Sequence, residues 1–474
     1  MNDIWRELLH VRADTTLAIG FVLAVGVTIH ILLNKREVAS AVGWIGLVWF
    51  APILGAISYL VFGVNRVKRR ARLLRPPDGE PSDPSAWPRP GVGDTLEPLE
   101  RGIGRITARP LLAGTTVQAY QNGDEAYPPM LAAIASAKVS VGLSSYIFRD
   151  DRWGGRFIEA LSAAAARGVA VRVLIDGIGG GWLLSPAYRR LRRQGVTADR
   201  FMHSWLPWRM PFLNLRSHKK VLLVDGLFGF TGGMNIADEN VMATHPKAPV
   251  QDLHFRIDGP VVSQLAEAFA EDWDFAANED LAGDNWSPEI PPRPGSLARV
   301  IDSGPDEDLE KVEFAVLQAV GSARTSIAVM TPYFLPDERL ITALTLAAMR
   351  GVAVSLVVPA ASNHVLVDWA TQANIGPLLS GGARIWRSPP PFHHTKLMVV
   401  DDGWCLIGSC NWDIRSFRLN FELCVEVYDH ALAATLTAIQ QRARGSELTQ
   451  AELDDRSLSV RIRDAAARLM LPYL

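Results

Sequence analysis

Apolar and polar positions divide this chain into two regimes separated by a polar, proline-rich break. Over the first 65 residues the apolar positions run on almost unbroken. Thr15 to Leu33 is a mainly apolar stretch of 19 residues with His30 near its end, and Ala39 to Phe62 is another of 24, interrupted only by Pro52 and scattered Ser and Gly. As helices, both are long enough to cross a hydrocarbon core of ~30 Å. Trp44, Trp49 and Tyr59 are amphipathic aromatics that partly suit the interface, and Asn34 to Val38 leaves room only for a tight hairpin. The pattern predicts two transmembrane helices, at about 15–33 and 39–62. It argues against a cleaved signal peptide followed by a buried helix, because both runs exceed the usual signal core. Arg66, Lys68, Arg69, Arg70 and Arg72 then form a stronger basic cluster than the pair in the hairpin. The positive-inside rule puts the remainder of the chain in the cytoplasm, and the cluster can hold anionic headgroups near the surface.

Arg75 to Asp94 (RPPDGEPSDPSAWPRPGVGD) reads as a linker. Beyond it, short apolar strands alternate with amphipathic helices, and the alternation repeats. LAAIASAKVSVGLSSYIF, ending past Tyr146, matches LQAVGSARTSIAVMTPYF, ending past Tyr333, and each is followed by an Arg-Gly-Val-Ala-Val segment, at Arg167 and Arg350. This predicts α/β layers rather than a β sandwich. The expected organisation is an anchor over 1–72, a linker over 73–95, and two pseudo-symmetric α/β lobes over 96–290 and 291–474 that face each other across a cleft.

The repeat carries polar residues in one frame. SHKKVLLVDGLFGFTGGMN holds His218, Lys220, Asp225 and Asn235; HHTKLMVVDDGWCLIGSCN holds His394, Lys396, Asp401 and Asn411, with identical spacing. A lone His-x-Lys before an apolar strand is usually a strand entry, but a matched pair points to one site built from two halves. Alternation along a strand turns His218 and Lys220 to one face, and His394 and Lys396 likewise. Asp-Gly and Asp-Asp-Gly are hairpin chemistry, so a return strand brings each Asn back beside its His. Two imidazoles, two ammonium groups and two carboxamides suit a phosphodiester. One neutral imidazole attacks phosphorus while the other, protonated, releases the alkoxide, and Lys220, Lys396, Asn235 and Asn411 steady the oxygens. Such a scheme needs no cofactor and no metal. Asp225 and Asp401 belong to the motif, and a turn-bracing role for them is at least as well founded.

On these residues the chain resembles the phospholipase D superfamily, whose hallmark is the doubled His-Lys-Asp motif, and within it the bacterial cardiolipin synthases. NWDIRSFRLNFELCVEV, with Arg415, Ser416, Phe417, Asn420, Phe421 and Glu422, matches that subfamily's extended motif. NLRSHKK, QDLHFRIDGPVV and FAEDWDFA around the first copy are similar to it too. One departure is Gly233, where the superfamily often has the serine that the second copy keeps as Ser409. The resemblance implies that Asp252 and Glu422 orient the imidazoles, that His218 is the nucleophile and that His394 is the general acid. It also implies phosphatidyl transfer between two phosphatidylglycerol molecules, yielding cardiolipin and glycerol, with membrane lipids as partners. Alternatives with the same motifs are a membrane-bound phospholipase D, which hydrolyses lipids or transfers them to other alcohols, and a membrane-tethered nuclease. A silent scaffold is disfavoured by two intact motifs. The residues alone leave open the order of the two histidines, the second alcohol and the oligomeric state.

Composition narrows these options. A chain of 474 residues has room for two core-bearing units. A net charge of −2 offers no polyanion footprint, so nucleic acid is not an expected partner. Cys405, Cys410 and Cys424 lack metal-ligand spacing. Trp205 to Leu213 (WLPWRMPFL) mixes Trp, Phe and Leu with Arg209, as a segment dipping into a lipid interface would. It could equally be an ordinary packed loop. The tail from Leu458 to Leu474 is amphipathic and basic, and could lie on a membrane or pack on the second lobe.

Overall fold

A computed structural model of the chain describes residues 2–35, 38–63, 91–203, 215–283, 285–291, 293–304 and 310–469. The basic cluster at 66–72, the linker up to residue 90, the 205–213 segment and the last five residues of the tail lie outside the described residues. The chain forms two compact units, Met1–Leu73 and Leu74–Leu474.

In the first unit a helix covers Asn2–Asn34. Its Thr15–Asn34 part, 20 residues of mean hydropathy 2.3, is long and apolar enough to cross a membrane. The second apolar run is not one helix, contrary to expectation. Helices cover Val38–Phe50 and Pro52–Ser58, and a π-helical turn covers Tyr59–Gly63. Ala51 leaves helical geometry (φ −137°, ψ 76°) and Pro52 opens the next helix, because a proline ring clashes with the preceding turn and has no N–H to continue it. A Cβ on Gly55 would stand 2.8 Å from Leu47 O and from Val48 Cα. In a straight helix eight residues span ~12 Å, so the run folds back on itself. Polar side chains are paired inside the unit: His30 Nδ1 lies 2.9 Å from the Tyr59 hydroxyl, and Trp49 Nε1–H donates to Thr28 Oγ1 at 3.1 Å.

Among the described residues the second unit is built on one mixed sheet of 16 strands, with the short strand Arg216–Ser217 lying off its main path. Outward from its middle, the first half contributes Leu112–Gln121, Leu253–Asp258, Phe228–Gly232, Val221–Val224, Ser140–Ser145, Ala170–Asp176 and Thr197–Phe201. In the other direction follow Ser296–Ser303, Asn420–Tyr428, Trp404–Gly408, Leu397–Val400, Ser326–Met330, Ala353–Pro359 and Arg384–Ser388, with Glu447–Leu448 at the edge. The two series correspond strand for strand, so the internal repeat is a structural one. Leu112–Gln121 and Ser296–Ser303 pair antiparallel and fuse the halves edge to edge. Parallel pairs lie where a helix links two strands: Arg152–Ala166 between Ser140–Ser145 and Ala170–Asp176, and Glu338–Met349 between Ser326–Met330 and Ala353–Pro359.

Each half has its own core. Phe157, Ile158 and Leu161 pack with Leu143, Val173 and Phe230; Leu340 and Leu344 pack with Val329, Leu356 and Met398. The helix Glu97–Thr107, which follows the linker, packs on the second half. Its Leu99 and Ile103, one turn apart, are buried with Ile301, Val312 and Val316 in the second half's core. Burying two such side chains is worth ~1.5–3 kcal/mol each, enough to carry the helix across the join. The tail forms a helix over Leu458–Arg468. Its Ala467 is buried with Val367 and Ala370 of the helix Val365–Asn374, and Leu458 and Ile462 stay exposed.

Candidate active site

Each motif begins with a two-residue strand that crosses to the other half. Arg216–Ser217 runs parallel to Asn420–Phe421, and Phe392–His393 runs parallel to Val250–Gln251. The backbone N–H of His218 donates to Phe421 O at 2.8 Å, and that of His394 donates to Gln251 O at 2.7 Å. Each histidine is therefore anchored by the half that does not encode it. The His-x-Lys triplets are extended links into the hairpin strands, and they alternate as a strand would. Lys219 turns away and its ammonium donates to Asp272 at 3.0 Å, while His218 and Lys220 both meet the Tyr146 ring.

The hairpin turns carry positive φ, at Asp225 (53°) and Gly226 (64°), and at Asp401 (50°) and Asp402 (53°); such turns match the twist of paired strands. Asp225 and Asp401, expected among the catalytic residues, are not brought to the histidines. The Asp225 carboxylate accepts from the N–H groups of Lys138, Val139 and Ser140 at 2.7–3.1 Å. Asp401 accepts from those of Arg324, Thr325 and Ser326 at 2.7–2.9 Å. Each lies seven residues beyond its histidine, past the far end of a four-residue strand, ~23 Å along an extended chain at the usual rise. Their chemistry is that of a turn brace.

The two imidazoles face each other with ring centroids 6.4 Å apart at 75°. Their acid partners are exchanged between the halves. His218 Nδ1 lies 3.2 Å from Glu422 Oε1, and His394 Nδ1 lies 2.7 Å from Asp252 Oδ2. With Nδ1–H directed at a carboxylate, Nε2 is the nitrogen turned to chemistry; that of His394 also has Lys396 Nζ 3.1 Å away. The two acids are not equivalent. Glu422 accepts the Ser409 hydroxyl at 2.5 Å and the Asn420 amide at 3.2 Å. Asp252 has no such hydroxyl beside it: a Cβ on Gly233 would fall 2.4 Å from Asp252 Oδ1, so the shorter acid occupies the space a serine would need.

Charge follows the same division. Burial pushes Asp252 up to about 6. Burial acts on Glu422 in the same sense, yet His218, Lys220 and the Ser409 hydroxyl hold it below the ordinary carboxyl range. Burial, then the nearby lysines, lowers both imidazoles. Burial also lowers Lys220 to about 7 and Lys396 to about 8. Lys220 Nζ donates to His218 O at 2.6 Å and Lys396 Nζ to His394 O. Lys396 Nζ also stands 2.7 Å from His394 Nδ1. One nitrogen cannot both donate to Asp252 and accept from Lys396, and the carboxylate is the stronger acceptor for its proton.

His218, His394, Asn235 and Asn411 line a cavity of about 680 Å³. The lysines lie behind its wall. Asn235 Oδ1 accepts the Ile147 N–H at 3.1 Å. Cys410 is buried, with its thiol against Asn411 O at 3.3 Å, and burial raises its pKa well above the ordinary thiol value, so it is packing rather than a nucleophile. The cavity residues that were not singled out for chemistry from the sequence include Tyr146, Tyr333 and Arg216. Tyr146 and Tyr333 appear there as matched strand ends, and Arg216, two residues before the first histidine, has no polar counterpart in the second copy to flag it.

A strand-for-strand duplicated α/β sheet that joins two His-Lys motifs over one cavity defines the class as phospholipase D-like. The solved phosphatidylserine synthase of Haemophilus influenzae Rd KW20 has this fold, with a TM-score of 0.62 at 14% identity over 79% of this chain and 100% of that one. The family described as cardiolipin synthase, PLD-like domain, matches residues 130–273 and 316–443, and a phospholipase D-nuclease N-terminal family matches residues 22–63. The major cardiolipin synthase of Bacillus subtilis (strain 168) is 31% identical over 97% of this chain and 98% of its own length. Cardiolipin synthase A of Pseudomonas fluorescens (strain SBW25) is 33% identical over 94% and 95%. The chain belongs to the bacterial cardiolipin synthases of the phospholipase D superfamily, a family of phosphatidyltransferases.

Proposed function

We propose that the chain transfers a phosphatidyl group from one phosphatidylglycerol to a second, forming cardiolipin and releasing glycerol through a phosphohistidine. The observation that carries this reading is the facing pair of imidazoles, each backed by a carboxylate from the opposite half. His218 Nε2 attacks phosphorus, and His394 donates a proton to the departing glycerol and then takes one from the incoming hydroxyl. An arriving phosphodiester anion offsets the lysine charges, restores a proton to one imidazole, and draws Lys220 and Lys396 off the histidine carbonyls toward its oxygens. Asn235 and Asn411 donate to those oxygens. Asp252 and Glu422 hold the tautomers, while Asp225 and Asp401 keep the hairpins in register. One phosphodiester replaces another, so no nucleotide is consumed. In this reading the catalytic halves divide near residue 290.

The purified full chain in phosphatidylglycerol vesicles with excess chelator is expected to yield cardiolipin and free glycerol in equal amounts. Phosphatidic acid as the main product would make it a lipid hydrolase instead, and no turnover would reject the reading.

The membrane attachment rests on Thr15–Asn34. The finer reading has two spans, with the second run straightening at Ala51–Pro52 in a bilayer and the catalytic unit on the cytoplasmic side. The charges at 66–72 support it. Because Cys405, Cys410 and Cys424 are buried, introduced thiols report cleanly. In intact cells an impermeant maleimide is expected to label Arg36→Cys and spare Asn2→Cys; the reverse pattern means one span.

A further inference from the structure

The duplicated frame exposes a place where the two copies are chemically opposite. Two residues before His218 stands Arg216; two before His394 stands Phe392. Four residues after Asn411 stands Arg415; four after Asn235 stands Glu239. All four line the same cavity. The fold therefore offers two equivalent pairs of positions around the imidazoles, and fills one pair with guanidinium groups and the other with a phenyl ring and a carboxylate.

The two arginines come from different halves and converge beside one tyrosine. Tyr146 packs edge-on against His218, with ring centroids 4.8 Å apart; burial raises its hydroxyl above the ordinary value, and the charges of Arg216 and Arg415 both oppose that rise. Arg415 is lowered from its ordinary value first by burial and next by the charge of Arg216. The charges of Asp413 and Asp176 act on Arg415 in the opposite sense, and both carboxylates are also held by backbone. Asp176 accepts from the N–H groups of Ile178, Gly179 and Ser217 at 2.7–2.9 Å, and Asp413 accepts from that of Ser416 at 2.6 Å. Two guanidinium groups brought from different halves to one cavity wall give an anion two cationic partners at once. Guanidinium forks match phosphate oxygens.

We infer that Arg216 and Arg415 form a second anion subsite that holds the phosphate of the acceptor lipid while the first phosphate is bonded to histidine. This rests on the cardiolipin reading and names its acceptor class: a monoanionic phosphodiester carrying a primary hydroxyl one glycerol away. In the step it serves, the acceptor oxygen bonds to phosphorus and the P–N bond to histidine breaks. The hydroxyl proton passes to the other imidazole, and no further reactant is consumed. Water and small neutral alcohols bring no anion to this subsite, so it favours the lipid acceptor over them.

The test uses the full chain in phosphatidylglycerol vesicles containing n-butanol, with cardiolipin and phosphatidylbutanol measured in one reaction. Arg216→Gln with Arg415→Gln is expected to lower the ratio of cardiolipin to phosphatidylbutanol by about 30–100-fold, the loss of one to two charge-assisted contacts. Arg216→Lys with Arg415→Lys is expected to recover most of that ratio. An unchanged ratio in the glutamine pair overturns the subsite. If that pair makes neither product, Arg415→Gln alone decides by the same ratio. Wild-type protein that makes phosphatidylbutanol but no cardiolipin rejects the cardiolipin reading and the subsite with it. Wild-type cardiolipin formation with a variant ratio that stays put rejects the subsite alone.

Discussion

His218→Ala is expected to reduce cardiolipin formation by at least about 10⁴-fold, because in the proposed mechanism it removes the atom that bonds to phosphorus. No neighbour can replace it. Among the described residues of the cavity, the one other imidazole close enough is His394, and its own role is needed at the leaving oxygen. His394→Ala should be nearly as damaging with phosphatidylglycerol, yet for a different reason, and a substrate with a better leaving group separates the two. Given a p-nitrophenyl phosphodiester, which needs no proton to depart, His394→Ala should still form an acid-labile phosphohistidine, detectable by intact mass. His218→Ala should form none. Labelling of the His218→Ala protein would reverse the order of the two histidines, and equal labelling of both variants would sink the two-histidine mechanism.

Asp252→Asn is expected to lower kcat by about 10³–10⁴-fold, the scale seen when an amide replaces the acid behind a catalytic histidine. The carboxylate accepts His394 Nδ1–H at 2.7 Å; an amide can present its NH₂ there and favour the wrong tautomer. The pH dependence tests the same residue without disturbing its shape. Burial raises Asp252 to about 6, so wild-type activity should fall as the pH drops through about 6 and the acceptor gains a proton. Glu422, held below the ordinary range, stays ionised across that window, so Glu422→Gln should keep the acid limb near 6. Asp252→Asn should lose it. The linkage to stability has the opposite sign: a carboxyl raised in the folded state favours folding at low pH, and that contribution is lost as the pH rises from about 4 to about 6. Activity and this contribution to stability should therefore diverge below pH 6. An acid limb that stays at about 6 in Asp252→Asn would rule the assignment out.

Local chemistry made much of this protein legible in one dimension. The paired His-Lys-Asp-Asn frames, the hairpins after Val224 and Val400, the helix-strand repeat and the first apolar helix all depend on neighbours a few residues away, and such signals survive in sequence. Pro52 was visible too, but whether a proline merely interrupts an apolar run or folds it back depends on what the next turn meets. Here that is Leu47, close enough to exclude even a Cβ at residue 55.

The rest belongs to chain closure over hundreds of residues. Periodicity cannot tell which strand edges will pair, so the fusion of Leu112–Gln121 with Ser296–Ser303, and the capture of the helix Glu97–Thr107 by the second core, appear only in three dimensions. The identities of Asp252 and Glu422 could be carried from a resemblance. Their exchange could not: each acid serves the histidine of the other half, because the short strands before His218 and His394 cross the join. That exchange also breaks the equivalence of the two halves. The sequence by itself determined two matching sets of candidate side chains; the tertiary structure decided which acid faces which imidazole, and how deeply each is buried, because both depend on which strands meet across the join.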